Sequence, residues 1–160
     1  LYKRPTLDTS WMKDCKCNEY DGVFEIRMAC LCTTSLHFEQ INGNRGVLYI
    51  HITHNHVKFR ISGFFGQVEV LFQTSANNIA IERFTREVEV QMSFKSFVSY
   101  IHEHEDKTQD VVISANNGAP VMMTYPNKNA GTFYYCLRHY EEDEEEEDIE
   151  DTEEERRRMM

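Results

Sequence analysis

Residues 86–106 read REVEVQMSFKSFVSYIHEHED, and residues 110–147 read DVVISANNGAPVMMTYPNKNAGTFYYCLRHYEEDEEEE. Val88, Val90 and Met92 alternate, as one face of a half-buried strand does. Phe94, Phe97, Val98 and Ile101 then recur at i, i+3, i+4 and i+7, the apolar stripe of an amphipathic helix, and further alternating stretches follow. The same order occurs upstream, where Phe24, Ile26 and Met28 share a strand face and also end on a Met. The chain therefore reads as duplicated, with strand, helix and three strands over Val23–Thr74 and again over Val88–Tyr140.

Behind Met28, the stretch ACLCTTSLHFEQI gives a weaker stripe through Leu31, Phe38 and Ile41, because Cys and Thr are poor helix formers. Three more strands show in Leu48, Ile50 and Ile52, in Val57, Phe59 and Ile61, and in Val68, Val70 and Phe72. NGNRG (42–46), SGFFG (62–66), ANNGAP (115–120) and NKNAG (127–131) supply the turn chemistry between them. Two helices and about eight antiparallel strands make an α+β domain with the helices on one face of the sheets.

Charge is placed unevenly. Residues 141–155 hold 13 of the 27 acids and Arg156–Arg158 hold 3 of the 17 bases, which leaves 14 of each in the body. The run 141–160 is expected to be a solvated, disordered acidic tail. No apolar run reaches the ~18 residues of a membrane-spanning helix. The chain starts at Leu1 with no basic-then-apolar leader, which gives no sign of secretion and suggests processing or a fragment.

Five cysteines, Cys15, Cys17, Cys30, Cys32 and Cys136, are an odd set, expected as reduced thiols of a nuclear or cytosolic protein. The close pairs Cys15/Cys17, Cys30/Cys32, His54/His56 and His102/His104 lack the loop spacing of a zinc site, and two helical histidines at i and i+2 point apart. No metal or other cofactor is expected. No nucleophile elbow, phosphate loop or paired-carboxylate context marks an enzyme. On the helices, Lys95, His37, His102 and His104 stand beside Glu39, Glu103 and Glu105, a poor surface for phosphates.

VKF at Val57–Phe59, SG at Ser62, QTS at Gln73–Ser75, GAPVMMTY at Gly118–Tyr125, FYYCL at Phe133–Leu137 and the acidic end, in that order and spacing, resemble the proliferating cell nuclear antigen (PCNA) family of eukaryotic sliding clamps. The likeness is to that family's C-terminal domain with part of its interdomain connector, over about Leu7–Glu145. It implies a connector-like segment at 1–19, a clamp domain at 20–140 and the acidic tail at 141–160. It also implies a nuclear processivity factor for DNA replication and repair, a ring around duplex DNA lined by helices, built with other clamp subunits.

The resemblance extends to a docking pocket for partner peptides from polymerases and repair factors. Trp11 and Met12 would be the connector's contacts, Pro120 the pocket proline and Tyr135 a pocket tyrosine. Leu137, Arg138, His139 and Tyr140 would form the terminal extension that pairs with the peptide. Tyr134, Tyr135 and Met123 suit a sheet core equally well. Val68, Val70, Phe72 and Thr74 would form the subunit-interface strand, and Lys95, His102 and His104 the weak DNA-facing set.

Three departures follow from the same comparison. Arg138 replaces the family's proline, His54 replaces a modifiable lysine, and the family's hole-lining bases fall on Ser35 or Phe38, Phe97 and His104. Two other readings remain, a subunit of the heterotrimeric checkpoint clamp or a truncated clamp domain serving only as an interaction module.

Overall fold

The structure, a computed structural model, describes residues 19–63, 66–103, 108–127 and 131–140. Strand β1 (Gly22–Arg27) runs directly into helix α1 (Met28–Asn42), with Arg27 still extended at φ −68° and ψ 135°. The Met28 N–H donates to Gln109 O at 2.9 Å, so the junction is fixed by a residue far along the chain. Gly43, at φ +63°, ends α1 by donating its N–H to Glu39 O, a left-handed position that costs glycine little.

Strands β2 (Val47–Ile52), β3 (His56–Gly63) and β4 (Gly66–Gln73) follow, then a 3-10 turn (Thr74–Ala76) and β5 (Ile79–Phe84). The second unit comprises β6 (Val88–Ser93), α2 (Phe94–Glu103), β7 (Asp110–Ala115), β8 (Val121–Asn127) and β9 (Gly131–Leu137).

Two antiparallel sheets result, in the orders β5-β1-β7-β8-β9 and β4-β3-β2-β6. The duplication seen in the sequence is their organising rule. Replacing each strand of β6-β2-β3-β4 by its repeat equivalent gives β1-β7-β8-β9. Strand β5, absent from the sequence reading, is the addition that breaks the match. Its stretch IAIERF buries only Ile79 and lies as an edge against β1, so it carries little of the apolar alternation that reveals a strand.

The helix-facing sides of both sheets make one core. Phe59 of β3 is its hub, with ring centroids 6.3 Å from Phe24 of β1, 5.6 Å from Phe72 of β4 and 6.5 Å from Phe97 of α2. The α2 stripe is buried as its spacing requires. The α1 stripe differs, because Met28, Cys32, Thr34 and Ser35 join Leu31 and Phe38 inside while Ile41 is exposed. At about 100° per residue, Ile41 falls at the rim of that buried arc, beyond the part that meets the sheets.

Candidate functional site

Strands β4 and β9 each end a sheet, and the internal repeat relates them. On β4, Phe72 is buried and Val68 and Val70 are half-buried against the core, whereas Leu71 on the other face is 48% exposed. Thr74 is not part of that strand. Its N–H and hydroxyl both donate to Asn55 O, which turns the chain into the 3-10 segment, so β4 stops at Gln73. On β9, Phe133 and Tyr134 are 41% and 65% exposed. Terminal strands with apolar side chains in water are sites for further strand pairing.

Trp11 and Met12 lie outside the described residues. Pro120 is buried immediately before β8, one residue ahead of the rung that pairs Val121 with Leu137. Leu137 is buried and ends β9, and Arg138 is exposed. Tyr135 stands on the helix-facing side, its ring edge-on to Tyr100 of α2 at 4.8 Å, and its hydroxyl donates to the Glu103 carboxylate. That bond to Glu103, with burial, raises the phenol above its ordinary range.

The extension beyond β9 already has a partner. His139 bridges Met92, and the Tyr140 N–H donates to Gln91 O at 2.9 Å, so the segment lies against the edge of β6. The structure thus brings Leu137–Tyr140 together with Pro120 and β6, and sets Tyr135 against α2.

The helix face is close to neutral. Ser35, Phe38 and Phe97 are buried, so these positions, which matched hole-lining bases of that family, belong to the core. Lys95 is exposed, and His102 is exposed with its Nε2 3.8 Å from Glu39 Oε1. His104 lies outside the described residues. Among the described residues of the two helices Lys95 is the one permanent cation.

Three features escaped the sequence reading. Cys136 on β9 is disulfide-bonded, which corrects the expectation of thiols throughout, while Cys30 and Cys32 keep that form. Five scattered cysteines give no pairing rule, and the fold supplies the proximity.

Glu25 on β1 stands between Asp110 and Glu82. Its hydrogen bond to Asp110, then burial and Glu82, push its carboxyl up to about 7. The register places Glu25 opposite Val112 and Ala80, a cross-strand neighbourhood with no local signature.

The turn residues Asn116 and Asn117 each form a two-bond clasp. Asn116 Oδ1 accepts the Asp21 N–H at 2.6 Å and its Nδ2 donates to Glu19 O at 3.1 Å. Asn117 Oδ1 accepts the Glu89 N–H at 2.8 Å and its Nδ2 donates to Glu87 O at 3.0 Å. One turn thus holds the entries to β1 and β6, the repeat-equivalent strands of the two sheets.

No protein-family model matches this chain, and no curated protein matches it in sequence. Solved structures do match in fold. PCNA from Entamoeba histolytica aligns with a TM-score of 0.65 at 15% identity, over 88% of this chain and 49% of that one. PCNA from Thermococcus kodakaraensis gives 0.64 at 11%, over 88% and 51%. A putative DNA polymerase III beta subunit from Eubacterium rectale gives 0.63 at 15%, over 87% and 34%. The chain spans about half the length of the two PCNAs and about a third of the beta subunit. Its fold is that of a sliding-clamp domain.

Proposed function

We propose that this chain supplies a sliding-clamp domain of the PCNA kind, a non-enzymatic docking platform for replication and repair proteins in the nucleus. The observation that carries the reading is the pair of repeat-related terminal strands, β4 and β9, left with exposed apolar side chains on a clamp fold. Equivalent edges at opposite ends of one domain suit head-to-tail pairing with other clamp domains, and such pairing forms a ring where the rotation closes. Encirclement of duplex DNA would follow from the ring.

Docking would use Pro120, Leu137–Tyr140 and the connector around Trp11 and Met12, with Tyr135, packed against α2, behind the pocket rather than at its surface. A peptide carrying a glutamine, an aliphatic residue and two aromatics at clamp-motif spacing should bind saturably, with burial of two rings giving about micromolar affinity. Native mass spectrometry of the chain, alone and with the peptide, together with Trp11 fluorescence, tests this. No complex and no fluorescence change at millimolar peptide removes the docking role.

The neutral helix face favours a second reading, in which other subunits of a mixed ring, as in the heterotrimeric checkpoint clamp, supply the cations. Native mass spectra of chain co-purified from its source separate the two by subunit composition.

A further inference from the structure

We propose that Asn117 is a site of spontaneous deamidation, and that its conversion unfastens β6 from the β7–β8 turn. Asn-Gly occurs twice in the sequence, at Asn42–Gly43 and Asn117–Gly118. The reaction needs the backbone nitrogen of the glycine to reach Cγ of the preceding asparagine, which a glycine permits best because it carries no side chain to obstruct the approach.

The two sites differ in how that nitrogen is held. The Gly43 N–H is committed to Glu39 O at 2.7 Å, and the Asn42 amide donates to Arg45 O, at the close of α1. Asn117 and Gly118 are instead the central pair of an exposed turn closed by the Ala119 N–H to Asn116 O at 3.3 Å. Gly118 has φ +69°, and open space surrounds it, as at the third position of a type II turn.

The chemistry balances without any redox partner. The Gly118 nitrogen bonds to Asn117 Cγ as the Cγ–Nδ2 bond breaks, and the amide leaves as ammonia with the glycine proton. Water then opens the cyclic imide on either side, leaving aspartate or isoaspartate at position 117.

The clasp determines both the rate and the consequence. While Asn117 holds Glu89 N–H and Glu87 O, both ends of its amide are engaged, so reaction proceeds from the open clasp. The product cannot restore it. A carboxylate still accepts from Glu89 N–H, but it has no hydrogen to give Glu87 O, and it sets a new negative charge beside Glu87 and Glu89. An opening that was reversible becomes permanent, at the strand whose edge also receives Tyr140.

The test ages the full chain in mildly alkaline buffer and maps it by mass spectrometry with isoaspartate detection. Aspartate and isoaspartate should accumulate at position 117 several-fold faster than at Asn42. Asn117→Asp, which mimics one product, should melt about 2–4 °C below the parent and show faster amide exchange in β6. Asn117→Ser, which cannot form the imide, should show no change in β6 exchange on ageing. Equal or faster conversion at Asn42, or melting and exchange of Asn117→Asp indistinguishable from the parent, overturns the proposal.

Discussion

Phe59 meets aromatic rings from both sheets and from α2. Phe59→Ala therefore leaves a cavity that no single element can fill, and should cost about 3–5 kcal/mol in urea unfolding. A loss below about 1 kcal/mol would mean that the neighbours collapse into the space. Glu25 gives a pH dependence of known sign. Its carboxyl is raised from 4.5 to about 7 on folding, so folding takes up a proton in that window, and stability is lost as pH rises through it. Glu25→Gln, which stays neutral, should show a flatter melting profile and melt higher than the parent above about pH 7. His56 acts oppositely, being lowered from 6.5 by burial and then by His51 and Lys58, so its contribution is lost as pH falls below 6.5. Alternation in the sequence was enough to place Phe59 in the core. It could not show that Glu25 meets Asp110, or that Asn117 holds β6, because those contacts join residues far apart in the chain, and only the sheet register sets them.

Among the elements, α2 was legible in position and face because Phe94, Phe97, Val98 and Ile101 fall on one narrow arc, all of them buried, although Tyr100 beside that arc is buried as well. Helix α1 was legible in position but not in face, since small residues such as Ser35 and Cys32 pack inside where the sheets come close. Strand β5 was missed because an edge strand with one buried residue has little pattern to show. The two terminal strands were half legible. The strand β4 was read with Thr74 included, whereas the 3-10 turn forms because Asn55 O draws Thr74 away. Leu71 gives the test of the β4 edge. Leu71→Lys places a charge on an exposed edge position, should change stability by no more than about 0.5 kcal/mol, and should reduce association in size-exclusion chromatography with light scattering. Unchanged association with an unchanged melting temperature would show that the β4 edge is not the contact.

At the scale of the molecule, Lys95 as the one permanent cation among the described residues of the helices predicts binding to duplex DNA no stronger than that of a neutral protein at physiological salt. Adding cations should restore it in a countable way. Leu36→Lys, Ser96→Lys and Ser99→Lys, all at exposed positions, should each steepen the logarithmic salt dependence by about 0.9 if they meet phosphates in an assembled ring. Fluorescence anisotropy across a salt series reads the slope, and a slope that does not move would show that this face does not meet DNA. The clamp architecture was legible as a whole because the duplication repeats every element order twice. The charge of the helix face was not, because which α1 positions are buried depends on its packing against the sheets. That same duplication gives the domain a direction, with β9 at one end and β4 at the other. A copy blocked only at β9 could still join the proposed assembly through β4, and would then act as a chain terminator. Small amounts of such a copy would poison rings built from intact ones, a dominant effect that a simple loss of folding could not produce.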